Sequence, residues 1–190
     1  MPRTTSPLTE RYTQPAIEGF ARRYNVAPDQ TVPVRLSDNV RALRWGMLAP
    51  WRGHGGVRPP PIRTALLDSV AATPVLAKAK RCIVIADGWY ARAKIGKHVH
   101  AWWIHGAPGF AGVCATHVDD GVESFAILGL PSTGRSTFLP CGADEQWLRD
   151  GTTLDVAWRE TEISRWFEDP SHDDSQCIAP LANPNQGTLF

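Results

Sequence analysis

Short hydrophobic runs rich in β-formers dominate this chain, and helical spacing is confined to an early and a late segment. Val32 to Leu36, Arg41 to Trp45, Arg81 to Ala86, His98 to Ile104, Phe110 to Thr116 and Ser124 to Leu130 are β-rich and are broken by Gly, Pro or Asp, which predicts strands. Ser6-Pro7 followed by Ile17, Phe20 and Ala21 at helical spacing predicts helical turns within residues 7 to 22. Ala143 to Arg149 reads as a short helix, and Thr161 with Ser164 to Phe167 as another, with Ile163, Trp166 and Phe167 on one face. Asp87-Gly88 reads as a tight turn presenting Trp89, and Asp119-Asp120-Gly121 as a second turn. Strands this crowded, without regular βαβ alternation, predict an α+β domain: mainly antiparallel β, partly barrel-like, with a few peripheral helices. The tract Arg58-Pro59-Pro60-Pro61 is too poor in donors for a central strand and predicts an extended surface loop.

A length of 190 residues with 43% hydrophobic content suits one core and a single domain over 1–190. No apolar run approaches the roughly 20 residues of a membrane helix. Met1 to Thr5 lacks the apolar centre of a signal peptide, so a cytoplasmic protein with no membrane partner is expected. Cys82, Cys114, Cys141 and Cys177 are widely spaced with no Cys-x-x-Cys pair, which argues for buried free thiols over a zinc site or disulfide framework. His98 and His100 share a strand face but lack a third ligand, and His105 and His117 end strands. All four are read as solvent-facing, and neither metal nor cofactor is expected.

A net charge of +1 excludes binding to nucleic acid by overall basicity, so any such contact needs a local patch. Eight tryptophans, several beside arginines or glycines, supply rings on which bases could stack. Trp45, Trp51, Arg52, Trp89 and Arg92 are the candidate DNA contacts. Trp45 fits a strand core equally well, and Trp102 fits it better. Trp51 follows a proline and opens the loop Arg52-Gly53-His54-Gly55-Gly56, where a ring is readily exposed. Asn25, at a strand end before Ala27-Pro28-Asp29, either holds a turn or reaches a ligand.

Three blocks occur in order: Arg23-Tyr24-Asn25-Val26-Ala27-Pro28, Trp45-Gly46-Met47-Leu48-Ala49-Pro50-Trp51 and Ala86-Asp87-Gly88-Trp89-Tyr90. Together they resemble the SOS response-associated peptidase (SRAP) family, whose members recognise abasic sites in single-stranded DNA and trap them through an N-terminal cysteine. The resemblance implies single-stranded or abasic-site DNA as partner and places Asn25 beside the catalytic pocket. It also shows where the chain departs. The cysteine position after the initiator methionine holds Pro2. The family's Asn-Ala-Arg-x-Glu-Thr motif aligns with Thr64-Ala65-Leu66-Leu67-Asp68-Ser69, so its asparagine and arginine become Thr64 and Leu66. The glutamate after the third block becomes Ala91, and the shorter Pro131-Ser132-Thr133-Gly134-Arg135 stands where a loop carrying a catalytic histidine is implied. A thiazolidine crosslink is not expected from such a chain, and no basis for peptidase activity is present. What remains open to Pro2 is a reversible iminium between a terminal proline amine and an aldehyde.

The last residues, Gln186-Gly187-Thr188-Leu189-Phe190, resemble the peptide by which bacterial repair factors dock on the sliding clamp. Gln186, Leu189 and Phe190 would make the contacts from a flexible tail at 182–190. Packing of Leu189 and Phe190 on this protein's own core is the alternative. Two functions stay open: a DNA-damage protein that binds single-stranded or abasic DNA, and a catalytically inactive scaffold for protein interaction such as clamp docking.

Overall fold

A computed structural model describes residues 8–49, 59–106, 109–117, 119–132, 135–138, 146–153 and 158–181. Its strands are β1 (Leu8–Gln14), β2 (Arg23–Val26), β3 (Thr31–Arg35), β4 (Val40–Trp45), β5 (Thr64–Leu66) and β6 (Lys80–Val84). They continue with β7 (Gly88–Ile95), β8 (His98–His105), β9 (Phe110–Thr116), β10 (Glu123–Ser132), β11 (Arg135–Phe138) and β12 (Arg159–Ile163). The helices α1 (Pro74–Ala77) and α2 (Gln146–Asp150) are short.

One sheet has the order β12-β8-β7-β1-β2 and the other β11-β10-β4-β3-β6-β9, with β5 added to β10. Because β10 also pairs with β9, the strands β10, β4, β3, β6 and β9 close on themselves as a five-stranded barrel. Pairing is antiparallel except where β10 meets β4 and β5, which it joins in parallel. The α+β, mainly antiparallel and partly barrel-like architecture expected from the strand pattern is the one observed.

Alternation along the strands sorts the core into layers. Val32, Val34, Leu43, Trp45, Cys82, Val84, Phe125 and Ile127 belong to one buried cluster that continues into Tyr12, Trp89, Ala91 and Trp102 of the five-stranded sheet. The intervening barrel residues Ile83, Val113, Ala126 and Leu128 pack instead with Val75 and Leu76 of α1 and Trp147 of α2. On the far side of the five-stranded sheet, Tyr90 and Ala101 lie with Ile163, Phe167 and Cys177. Strand β7 is therefore buried on both faces, Trp89 and Ala91 toward the barrel and Tyr90 toward the C-terminal segment.

The six predicted strands are present with shifts of one or two residues at their ends. Three expectations fail. The segment read as helical turns contains β1, because Tyr12, Thr13 and Gln14 are fully or nearly buried between β2 and β7, and pairing on both sides overrides the Ile17/Phe20 spacing. Ile17 and Phe20 instead bridge each other across a turn with Gly19 at φ 78°. The segment around Thr161 is strand β12, followed by a 3-10 turn at Trp166–Glu168. Asp87-Gly88 is not a tight turn: Asp87 sits at a bend and Gly88 opens β7, paired with Thr13 and His105. The Asp119-Asp120-Gly121 turn is present, with Gly121 at φ 68° and its amide donating to the His117 carbonyl. The helix at Ala143 to Arg149 is seen as α2, residues 143–145 lying outside the described residues.

Gly88 is required by proximity. A Cβ there would stand 2.3 Å from Trp103 Nε1 and 2.7 Å from the Ile104 carbonyl. Gly88→Ala must push β8 away from β7 and is expected to cost about 2 kcal/mol or more in urea unfolding. A loss below about 0.5 kcal/mol would show that the two strands separate freely.

Candidate functional site

Strand β1 assembles the region to which the family resemblance points. Leu8 pairs with Ala91 of β7, and two residues on, the Glu10 carboxylate accepts from Arg63 Nη1 at 2.9 Å. Arg63 directly precedes β5, so one strand ties the Ala91 position to the Thr64 position. Thr64 is exposed and hangs on the outer half of β10, opposite Ile127. Arg63 is fixed from three directions. Its carbonyl accepts from Trp45 Nε1 and from the Ile127 amide, both at 3.0 Å, and its guanidinium also reaches Asp29 at 3.3 Å. Asp29 accepts from Arg44 at 2.7 Å as well.

Asp29 occupies the left-handed region at φ 70°, which aspartate tolerates better than most residues. The hydrogen bond from Arg44 holds its carboxyl below the usual range, with the charges of Arg44 and Arg63 acting the same way. A lowered folded-state value means that this contribution is present at neutral pH and is lost on acidification through that value. The four side chains are all near 40% exposed, so each pair adds little stability. Their effect is to orient two guanidiniums around Asp29, that of Arg63 at the start of β5.

The blocks that carry the family resemblance are largely architectural. Asn25 is 2% exposed, and its amide is fully engaged: Nδ2 reaches the carbonyls of Phe167, Asp169 and His172 at 2.7–3.1 Å, and Oδ1 accepts from Arg11 at 2.9 Å. Rather than holding its own turn, the side chain ties β2 to the C-terminal segment from Phe167 to His172. Tyr24 and Asn25 also donate their backbone amides to Asp173. Tyr90 donates its hydroxyl to the Tyr24 carbonyl and stacks on Phe167 at 4.1 Å. Asp87 accepts from Thr13 at 2.5 Å and from Arg22 at 2.8 Å, and Trp103 donates to the same Thr13 hydroxyl at 3.1 Å.

The tryptophan candidates are core residues where they are described. Trp45 has no exposed surface and lies 5.1 Å from the Tyr12 ring. Trp89 is 3% exposed, with Phe110 at 5.6 Å and Trp158 at 4.3 Å. Neither offers a face to a base, because alternation turns both toward the barrel. Trp102 is buried, as expected. Arg92, next to Ala91, points outward with its side chain 52% exposed and Glu168 at 3.6 Å. Pro2, Trp51, Arg52, Gln186, Leu189 and Phe190 lie outside the described residues, as does Cys141.

His117 is a correction to the solvent-facing reading: its side chain is 1% exposed, with Nδ1 2.8 Å from Asp120 inside the turn that follows β9. His105 is half-buried against Trp103, their rings 4.0 Å apart, and desolvation followed by the charge of Arg159 keeps its pKa below the ordinary value. Among the described residues no group of His, Cys, Asp and Glu is arranged to hold a metal ion. Glu10, Asp29, Arg44 and Arg63 were passed over in the sequence, because β1 was not read as a strand and nothing local shows that these residues meet.

A family model described as SOS response associated peptidase (SRAP) matches residues 3–189. Among solved structures, a protein of Bacteroides thetaiotaomicron superposes with a TM-score of 0.69 at 18% identity, covering 87% of this chain and 88% of that one. A protein of Bordetella bronchiseptica gives 0.61 at 16% identity, covering 82% and 100%. A phage-related protein of the same organism gives 0.57 at 18%, covering 80% and 94%. At these identities the likeness is one of fold. No curated protein matches the chain.

Asn25→Ala removes the donor shared by three carbonyls and the acceptor of Arg11, leaving the buried Phe167 carbonyl short of a partner. A loss of roughly 3 kcal/mol in chemical denaturation is expected, together with release of the segment containing Phe167 and His172, seen as faster amide exchange there. Full stability would restore a ligand-facing role to the residue.

Proposed function

Because this chain belongs to the SOS response associated peptidase (SRAP) family, which associates it with the response to DNA damage, we propose that it binds single-stranded or abasic-site DNA without the family's crosslinking and peptidase chemistry. The observation that carries this reading is the pairing of Leu8 with Ala91. Where the resemblance implies a carboxylate to move protons, β7 offers a methyl group, and the N-terminal strand runs directly alongside it. Ala91 is 6% exposed. Glu10, the nearest carboxylate on β1, is committed to Arg63. Both facts favour a site without general acid–base assistance from the Ala91 position.

Binding is supported by exposed arginines on two surfaces: Arg44 and Arg63, which meet at Asp29 with Arg63 just before β5, and Arg92, on the face of β7 opposite Ala91; each has a carboxylate partner that a phosphate can replace. Trp51 and Arg52 belong to the same proposal as stacking and phosphate contacts. Pro2 lies six residues before Leu8, a reach of about 20 Å when extended, so a reversible iminium from its amine is compatible with this reading.

Fluorescence anisotropy of a labelled single-stranded oligonucleotide tests binding, and labelling the DNA is preferable because Trp45, Trp89, Trp102 and Trp147 are buried. Saturable binding that weakens as salt is raised is expected, with Arg92→Gln weakening it roughly 3- to 10-fold. Binding that is absent at low salt would overturn the proposal. On an oligonucleotide with one abasic site, no covalent band is expected without reductant. A stable band would overturn the non-crosslinking half.

A further inference from the structure

The strands of the barrel bring charged residues together at one end. There β3 and β9 finish and β4, β6 and β10 begin. Arg41, Lys80 and Glu123 have the same parity as the buried Leu43, Cys82 and Phe125 next to them on their strands, so alternation turns them to the interior side of the rim. Between this rim and α1 lies a cavity of about 650 Å³, within the range of small-molecule sites, for which barrel mouths are a common location.

The floor of the cavity is aliphatic. Leu43, Val75 and Cys114 contribute to it, each no more than 5% exposed, and Leu36 is partly buried beside them. No aromatic ring is among the described lining residues. The rim has two unlike sides. On one, Arg41 is satisfied by Glu123 at 3.0 Å and Asp38 at 3.6 Å. On the other stand Lys78 and Lys80, for which no carboxylate lies within ion-pair distance among the described residues.

We propose that this cavity binds a small aliphatic carboxylic acid, its carboxylate on Lys80 and Lys78 and its chain against Leu36, Leu43 and Val75. Two ammonium groups with no carboxylate partner among the described residues attract a compact anion, and the floor gains by covering a methylene chain. A nucleotide base has no ring to stack on there, which separates this cavity from a nucleic-acid surface. The two regions are also apart along β10. Glu123 marks the rim, whereas β5, carrying Thr64, joins β10 from Ile127 onward, about 13 Å further along the strand.

Titration calorimetry of the full chain with sodium octanoate tests this. Saturable binding is expected, with shifts of the Lys80, Arg81 and Ala115 amide resonances. Lys78→Gln with Lys80→Gln, both exposed positions, is expected to weaken it at least tenfold at an unchanged melting temperature. 1-Octanol, which keeps the chain and lacks the charge, is expected to bind at least tenfold less well. Absence of saturable heat, equal affinity in the double variant, or equal affinity for octanol would each overturn the proposal. Displacement of octanoate by a single-stranded oligonucleotide would overturn it too, by assigning the cavity to nucleic acid.

Discussion

Everything in this structure depends on strand β10 keeping several pairings along its length. Its first half lies antiparallel to β9 and parallel to β4, which closes the barrel. Its second half carries β5 and then β11. Closure gives β4 and β9 partners on both sides, so neither presents an open edge. It also fixes the parity of every barrel residue. Phe125 and Ile127 face Trp45 and Val84 in one cluster, while Ala126 and Leu128 face Met47 and Trp147 in the other. A slip of one residue along β10 would exchange those two sets, placing Phe125 where Ala126 now fits. The same register sets Thr64 opposite Ile127 and sends Glu123 to the opposite end, so the two candidate surfaces are separated by one strand's length.

The family-like blocks gain a physical meaning from this arrangement. Asn25, Tyr24, Asp87 and Tyr90 contribute to joints between layers and strands: β2 to the C-terminal segment through Asn25 and Asp173, β7 to β2 through Tyr90, and β1 to β7 through Thr13 and Asp87. Buried polar groups of this kind are costly when half satisfied, so a change at one of them leaves its partners unpaired in a dry interior. Chemistry positions are under a different constraint. Ala91 closes the same layer that a longer side chain would have to leave, and Thr64 and Leu66 sit on a short strand whose backbone, not its side chains, is held by β10. At Thr64 and Leu66 the pairing with β10 is made by backbone groups, so it does not depend on which side chains stand there.

The strands of the barrel were legible because each is a short run rich in β-formers and bounded by Gly, Pro or Asp. Strand β7 was missed because Asp87-Gly88 imitates a turn when the glycine is in fact demanded by Trp103. Strand β1 was missed for another reason: its pairing with β2 and β7 is invisible locally, and the Ile17/Phe20 spacing after it belongs to a bridge rather than a helix. Around the positions that the resemblance names, the Glu10, Asp29, Arg44 and Arg63 network was not legible. Its members are 15 to 53 residues apart where they meet, and only strand register brings them together. The burial of Trp45 and Trp89 follows from the same register. A tryptophan beside an arginine on a strand points the opposite way, so Arg92 is outside because Ala91 is inside.

The distribution of charge sets how the protein can meet an anion. A net charge of +1 supplies no long-range attraction, and the arginines near the Ala91 and Thr64 positions are held by carboxylates: Arg44 and Arg63 by Asp29, Arg63 also by Glu10, and Arg92 by Glu168. A phosphate that binds there must exchange with a carboxylate, and the net gain is the difference between two similar interactions. Affinity on that face then depends on how well the guanidiniums are already oriented, which is the role of the Arg63 carbonyl bonded to Trp45 and of Asp29 held in its left-handed conformation. At the barrel mouth the situation is reversed. Lys78 and Lys80 have no competing carboxylate among the described residues, so an anion there adds an interaction instead of replacing one, and the selectivity comes from the aliphatic floor beneath them.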